Sequence, residues 1–158
     1  MRRGQQKAVP AARYNQQYHP QQRQRLIGAY NWHTNQVTTQ RVDRVDGEHF
    51  AAFLESLLTE VYPHQVVLLV LDNASVHKTA AVQATLSVFE HRVQAIFLPP
   101  YCPELNPIER FWRHLKDLVY ANRLFPNLAS LVAALDHVLA LQNQPHSPLR
   151  FRLSNDFQ

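Results

Sequence analysis

An unbroken run of six apolar residues occupies positions 66–71 and is followed at once by the acid Asp72. A run of this length, half of it valine, predicts a strand that is buried on both faces. Because open α/β sheets carry their sites beyond the carboxyl ends of their strands, Asp72 becomes a candidate functional residue. The alternative is a local turn, in which the side chain of Asp72 only accepts hydrogen bonds from nearby backbone amides.

The rest of the chain alternates strands with helices. Residues 25–32 and 36–42 are rich in aromatic and β-branched side chains and flank a turn-forming stretch, which predicts a β-hairpin. Apolar residues at spacings of three and four predict helices, and residues 93–98 predict a short strand. Four helices are predicted. The first runs from residue 46 to Pro63, the second covers residues 78–89, the third begins at residue 107, and the fourth covers residues 128–141. This order predicts an α/β domain with at least partly parallel strand pairing.

These patterns also predict the boundaries of the domain. We expect residues 1–24 to be a basic, glutamine-rich arm or loop, with a short extended piece around residues 7–12. We expect residues 25–142 to form the folded domain and residues 143–158 to be a C-terminal tail. With 158 residues and 46% hydrophobic content, the chain has enough apolar material for the core of one domain.

Composition excludes several classes of protein. The chain has only 3 glycines and no GxGxxG or GxxxxGK string, which argues against the common nucleotide-binding loops. Its single cysteine, Cys102, supports neither a disulfide scaffold nor a zinc ribbon. No apolar stretch approaches the ~20 residues that span a bilayer, and the N-terminus lacks the apolar segment of a signal peptide. We therefore expect a soluble, intracellular protein with no membrane partner.

Positive charge is concentrated at the N-terminal end. Residues 1–41 contain seven arginines and lysines and no acid, and the first acid is Asp43. Such an arm suits a polyanion, because neutralising phosphates releases counterions and gives affinity that does not depend on sequence. A solvated, partly disordered tail explains the same composition equally well.

A second candidate acid, Glu109, lies at the start of a predicted helix. Asn106 and Pro107 suit the N-cap and first helical positions, so Glu109 also completes a capping box. It could equally pair with Arg113 one turn later. The apolar stripe leaves Glu109, Arg113 and Lys116 on one flank, where they could face a phosphate-bearing substrate. The stripe consists of Ile108, Phe111, Trp112, Leu115, Leu118 and Val119.

Two strings of the sequence resemble the DDE transposases of the mariner-like and related bacterial insertion-sequence superfamily. They are LDNASVH at residues 71–77 and LPPYCPELNPIERFWRHLK at residues 98–116. The 36 residues between Asp72 and Glu109 are close to the usual gap between the second and third acids of that family. The resemblance extends over residues 25–141, and Cys102 stands where the family typically has serine.

The resemblance implies an RNase H-like fold, a mixed sheet flanked by helices, that cleaves DNA strands and transfers them with two Mg²⁺ or Mn²⁺ ions. By position, Asp72 is the second acid and Glu109 the third, each a catalytic residue and a metal ligand. We expect four neighbouring side chains to contact DNA, His77 being the weakest of these candidates because a lone histidine is more often a surface or capping residue. They are His77, Arg110, Arg113 and Lys116.

One departure from the family matters. Its first acid lies on the first, central strand, ahead of the hairpin, and no Asp or Glu precedes Asp43 in this chain. We therefore expect the sheet to lack that strand, which leaves two unpaired edges facing a gap. We also expect weak metal binding and a chain that is inactive alone, as a truncated transposase or the second half of a split reading frame.

Two other readings stay open. The chain could be an active nuclease that recruits Asp43 or Asp46 in place of the missing acid. It could also be a non-enzymatic DNA-binding or assembly remnant that uses its basic arm. DNA is the expected partner, with the upstream half of a split transposase and a second copy of the chain as further candidates. We expect a bacterial cytoplasmic location, associated with the nucleoid when bound to DNA, and largely nonspecific binding because no helix-turn-helix is recognisable.

Overall fold

The computed structural model describes residues 24–100, 105–121 and 123–152. The strands are β1 (Arg25–Asn31), β2 (Gln36–Val42), β3 (Val67–Leu71) and β4 (Val93–Phe97). The helices are α1 (Gly47–Ser56), α2 (Ala80–Val88), α3 (Pro107–Tyr120) and α4 (Leu128–Gln142). This order confirms the predicted alternation of strands and helices. The extended piece predicted around residues 7–12 lies outside the described residues.

Strands β1 and β2 form the predicted antiparallel hairpin, paired from Arg25 opposite Val42 to Asn31 opposite Gln36. The side chain of Asn31 holds the turn, because its Oδ1 accepts hydrogen bonds from the backbone N–H groups of His33 and Thr34. Asn35 has φ of 57°, a left-handed conformation that asparagine tolerates better than most residues. The turn is therefore determined by local side-chain chemistry.

Strands β3 and β4 pair in parallel, from Val67 opposite Val93 to Leu71 opposite Phe97. Helix α2 makes the crossover between them, as parallel neighbours require. The guanidinium of Arg92 anchors the start of β4 by donating to the backbone carbonyls of Leu58, Tyr62 and Gln65. At the other end, Leu98 N–H donates to Leu71 O at 2.8 Å. The chain segments after β3 and β4 consequently leave the sheet at the same edge.

The hairpin lies between two hydrophobic cores. One core joins Ile27 of β1 to α1, α2 and Leu71 of β3. The other joins Val37 of β2 to the buried faces of α3 and α4, including Phe111 and Leu135. Helix α1 continues into a π-helical turn at Leu57–Val61 before Pro63, so the predicted end of this helix is confirmed. None of the described helices is long and apolar enough to cross a lipid bilayer.

The two strand pairs are separate sheets in the part of the chain that the structure describes. Among the described strands, β1 pairs with β2 and β3 pairs with β4, although Ile27 of β1 and Leu71 of β3 belong to one core. The prediction that β3 is buried on both faces is wrong. Its Leu68 is 57% exposed and its Val70 is 42% exposed. Helices α1 and α2 share a core with the opposite face of β3, while α3 and α4 pack on the hairpin instead.

Candidate active site

Asp72 directly follows the last residue of β3, as predicted. Its Oδ1 accepts a hydrogen bond from the Ala74 N–H at 2.9 Å, so the local turn considered from the sequence is present. The same Oδ1 lies 2.9 Å from Nδ1 of His77. Within the described ranges no hydrogen bond reaches Oδ2, and the side chain is 37% exposed. The turn therefore engages one oxygen of the carboxylate and leaves the other available for a cation.

Asn73 ties this turn to the neighbouring strand. Its side-chain amide donates to the backbone carbonyl of Leu98, which follows β4. This bond adds to the Leu98–Leu71 backbone bond at the same edge of the sheet. The loop that leads towards Glu109 thus begins beside Asp72. Residues 101–104 of that loop, including Cys102, lie outside the described residues.

His77 lies in the single 3₁₀ turn Ser75–Lys78 that precedes α2. Its side chain is only 14% exposed, and its ring centroid is 4.4 Å from that of Phe50 in α1. From the sequence, His77 is expected to contact DNA, and that role stays a prediction. The contact with Asp72 is one that the sequence analysis missed. The sequence carries no signal for it, because the contact depends on the 3₁₀ turn that returns the ring towards Asp72 and on the packing of that ring against Phe50.

Glu109 occupies the first turn of α3, whose start is as predicted. Asn106 is the N-cap, and its Oδ1 accepts from the Ile108 N–H at 3.4 Å. Glu109 is exposed. Among the residues described, its carboxylate makes neither the capping-box bond to Asn106 nor an ion pair with Arg113. The carboxylate of Glu109 is therefore not engaged by either of the two structural roles considered from the sequence.

The basic flank of α3, consisting of Arg110, Arg113 and Lys116, is exposed along its whole length. The opposite side of the helix is buried at Phe111, 0% exposed, and at Leu115 and Val119. The predicted apolar stripe is therefore confirmed. No ion pair joins any of the three cations to an acid elsewhere in the described residues. Their charges remain available to an external polyanion.

The two candidate acids differ in what surrounds them. Asp72 extends β3, which packs in the core beneath α1, whereas Glu109 is carried by α3, which packs on β1. Within residues 24–100, 105–121 and 123–152, no three His, Cys, Asp or Glu side chains are grouped as a metal site would need. Carboxylate oxygens suit Mg²⁺, and the free Oδ2 of Asp72 fits that chemistry. The convergence of Asp72 and Glu109 on a shared cation stays a prediction.

The two acids considered as substitutes have other surroundings. Asp46 is the N-cap of α1, where its Oδ1 accepts from the His49 N–H at 3.0 Å and lies 2.7 Å from His49 Nδ1. The backbone bond from His49, then its side chain, holds the pKa of Asp46 below its ordinary value. Asp43 is exposed, and its backbone carbonyl accepts from Arg25 at 3.1 Å. Helix capping therefore engages Oδ1 of Asp46, and its Oδ2 lies 3.5 Å from Nε of Arg44, so both oxygens already have partners.

Comparison with known families decides the assignment. The sequence model of the DDE superfamily endonucleases matches residues 1–132 of this chain. The chain belongs to the DDE superfamily endonucleases. The resemblance drawn from the strings around Asp72 and Glu109 is thereby confirmed.

Two curated proteins are similar to this chain in sequence, and the name of the first is that of an insertion-element protein. The chain is 26% identical over 137 residues to the insertion element IS630 uncharacterized 39 kDa protein of Shigella sonnei, covering 87% of this chain and 38% of the relative. It is 34% identical over 65 residues to the uncharacterized protein y4pE/y4sA of Sinorhizobium fredii, covering 41% of this chain and 44% of the relative. The chain thus spans less than half the length of each of these relatives.

Solved structures confirm the predicted fold class. The catalytic core domain of BIV integrase superposes with a TM-score of 0.53 at 19% identity, covering 77% of this chain and 76% of that one. The simian T-cell lymphotropic virus intasome, solved with the PP2A regulatory subunit B56 gamma, gives a TM-score of 0.56 at 18% identity. That match covers 73% of this chain and 42% of the other. The DDE endonuclease chain therefore has an RNase H-like α/β fold.

Proposed function

We propose that this chain is part of the catalytic domain of a metal-dependent DNA transposase, in which Asp72 and Glu109 are catalytic residues and metal ligands. The observation that carries the proposal is the carboxylate of Asp72. It emerges at the carboxyl end of β3 with one oxygen engaged by the protein and the other without a hydrogen bond from any described residue. The membership of the chain in the DDE endonuclease family supports the same assignment.

The roles of the two acids follow from their chemistry. When bound, Mg²⁺ or Mn²⁺ activates a water or a 3′-hydroxyl and stabilises the leaving oxygen of a phosphodiester. Asp72 would bind a metal ion through Oδ2, because Oδ1 accepts the hydrogen bond that closes the turn. Glu109 would hold the other side from the first turn of α3, where its exposed carboxylate makes no ion pair with Arg113.

The basic flank of α3 would bind the DNA backbone. Arg110, Arg113 and Lys116 follow Glu109 on the exposed side of the same helix. Cations in this position would neutralise phosphates beside the scissile bond and release counterions. They would position DNA without reading its sequence, because contacts to phosphates determine where the protein lies along the duplex and do not distinguish one base from another.

A third carboxylate would have to come from another polypeptide segment. No acid precedes Asp43 in the sequence, and Asp46 already caps α1. We place this carboxylate, the family's missing first acid, on a strand between β1 and β3. These strands contribute Ile27 and Leu71 to one core without pairing to each other in the described residues. The upstream half of a split transposase would supply this strand, and the chain by itself would bind metal weakly and be inactive.

A second copy of this chain would not meet that need, because it also lacks an acid before Asp43. A homodimer would therefore leave each site without its first acid. The nucleoid of a bacterial cell would be its place of action, since DNA is the expected partner.

Mn²⁺ binding to the purified chain tests the metal site. We expect the affinity for Mn²⁺ to fall in Asp72→Asn and Glu109→Gln, because each change removes one anionic ligand. Glu90→Gln is the matched control, since Glu90 is an exposed acid outside the proposed site. Unchanged Mn²⁺ binding in both site variants would refute the proposed ligands. Mg²⁺-dependent cutting of DNA by the chain alone, lost in Asp72→Asn, would refute the need for a first acid supplied from elsewhere.

One alternative function is favoured by a specific observation. The three cations of α3 have no described acidic partners, and residues 1–40 carry six basic residues without an acid. A non-enzymatic DNA-binding or assembly remnant would have the same features. Salt-dependent DNA affinity that is unchanged in Asp72→Asn and Glu109→Gln, together with no Mn²⁺ binding, would favour this alternative.

A further inference from the structure

The contact between His77 and Asp72 uses one atom of each side chain. Nδ1 of His77 lies 2.9 Å from Oδ1 of Asp72 and 3.3 Å from the backbone oxygen of the same residue. An ionised carboxylate and a carbonyl oxygen only accept hydrogen bonds, so Nδ1 must carry the proton. Oδ1 of Asp72 thus has two donors, His77 Nδ1–H and the Ala74 N–H. Two donors on one oxygen restrain rotation of the carboxylate about its terminal bond.

The position of His77 is itself restrained by the fold. Its backbone N–H donates to Ala74 O at 3.1 Å, which closes the 3₁₀ turn. Its ring packs at 4.4 Å against Phe50, a residue that is only 7% exposed in the core beneath α1. A ring held from two sides presents Nδ1 in one direction. The rigidity of the α1 core is in this way transmitted to the carboxylate at the tip of β3.

We infer that His77 is a positioning residue for Asp72. It holds Oδ1 in the turn so that Oδ2 points away from the protein's own donors, towards a divalent cation. The inference rests on the proposed role of Asp72 as a metal ligand. It goes beyond that role by assigning the orientation of the ligand to a specific residue outside the acid set. Outer partners of this kind orient metal-binding carboxylates and change metal affinity when they are replaced.

Two substitutions separate this positioning role from simple packing. His77→Phe keeps an aromatic ring against Phe50 but removes the donor. His77→Asn loses the ring but places its side-chain amide nitrogen close to where Nδ1 lies. A positioning role predicts that Asn preserves the behaviour of the wild type and Phe does not. A packing role predicts the reverse order.

The experiment uses the full 158-residue chain and two readouts. Hydrogen exchange of the Ala74 amide, followed by NMR, reports whether Oδ1 is still held in the turn. Titration with Mn²⁺ reports whether Oδ2 is still oriented. In His77→Phe we expect the hydrogen of the Ala74 amide to exchange faster. We also expect this variant to bind Mn²⁺ at least about 10-fold more weakly, which is the usual loss of metal affinity when an outer partner of a metal ligand is replaced. His77→Asn should stay close to the wild type in both.

Several outcomes would overturn the inference. His77→Phe with wild-type Ala74 exchange would show that the histidine does not hold the carboxylate. A larger loss in His77→Asn than in His77→Phe would assign the effect to packing, and equal loss in both variants would equally contradict a role for the Nδ1 donor. If His77→Phe fails to fold, the ¹⁵N shifts of the His77 ring in the wild type decide, since a proton on Nε2 instead of Nδ1 contradicts the contact. If the wild type binds no Mn²⁺, the proposed metal site fails, while Ala74 exchange still decides whether His77 positions Asp72.

Discussion

Gly28 of β1 lies directly beneath the indole of Trp112 in α3. A Cβ atom at residue 28 would fall 2.8 Å from Cη2 of Trp112 and 2.9 Å from its Cζ2, closer than real Cβ contacts allow. The absent side chain therefore lets α3 approach the strand. Because Glu109 lies one turn before Trp112, this contact also helps to determine where the candidate acid is placed.

Gly28→Ala should push Trp112 away from β1 and destabilise the fold. Overpacking of this kind costs about 1–3 kcal/mol of unfolding free energy. Urea unfolding measures the change. Tryptophan fluorescence measures the displacement of Trp112, in a Trp32→Phe background, because Trp32 is 75% exposed and would otherwise contribute. A double variant, Gly28→Ala with Trp112→Leu, should lose less unfolding free energy than the two single variants lose in sum, because the smaller side chain relieves the clash. Strict additivity would contradict the contact.

Removing the N-cap of α3 should affect both stability and the candidate site. Asn106→Ala deletes the acceptor for the Ile108 N–H, and loss of an N-cap costs about 1 kcal/mol. The matched control is Asn127→Ala, which deletes the equivalent cap of α4, where Oδ1 accepts from the Ser130 N–H at 2.9 Å.

Chemical unfolding should show a similar loss in both cap variants. Mn²⁺ affinity should fall only in Asn106→Ala, because only that helix carries Glu109 in its first turn. A loss of Mn²⁺ affinity in Asn127→Ala as well would show that the effect is global destabilisation.

Much of the fold was predictable because its local signals agree. Apolar spacing and side-chain composition predicted strands β1–β4, helices α1, α2 and α4, and the start of α3 to within a few residues, but not the 3₁₀ turn Ser75–Lys78. The Asn106 cap and the turn after Asn31 follow from side chains that bond their own neighbouring backbone. These features depend on contacts between residues close in the sequence, which is why periodicity and turn chemistry suffice to predict them.

The features that were missed depend on contacts between distant elements. Leu68 and Val70 belong to an apolar run that is indistinguishable in sequence from a strand covered on both faces. Whether a second face is covered depends on where α3 and α4 pack, and these helices pack on the hairpin instead. The bond between His77 and Asp72 was missed for a similar reason, since it requires Phe50 from another helix to hold the ring.

Acid should weaken the contribution of Asp46 to stability. Hydrogen bonds from His49, first from its backbone and then from its side chain, lower the pKa of Asp46 in the folded chain below the ordinary value of 3.8. The unfolded chain therefore binds more protons between these two values, and stability rises with pH there. The contribution is fully present above the ordinary value and is lost as the pH falls through the lowered one.

Urea unfolding between pH 2.5 and 6 tests this against Asp46→Asn, which keeps a cap oxygen for His49 N–H but cannot ionise. The wild type should be the more stable protein at pH 6, and the difference should shrink as the pH falls below about 4. The same difference at every pH would show that the charge of Asp46 contributes nothing.

Neutralising the basic flank of α3 should weaken DNA binding uniformly across sequences. Arg110→Gln, Arg113→Gln and Lys116→Gln should each lower affinity and reduce the slope of log affinity against log salt by about 1, if each cation contacts one phosphate. Arg41→Gln is a matched control, because Arg41 already pairs with Asp136 and should contribute little. Fluorescence anisotropy of labelled duplexes at several salt concentrations gives both quantities. If the salt slope changes in Arg41→Gln but not in the three α3 variants, DNA binds elsewhere on the chain and not along the flank of α3 beside Glu109.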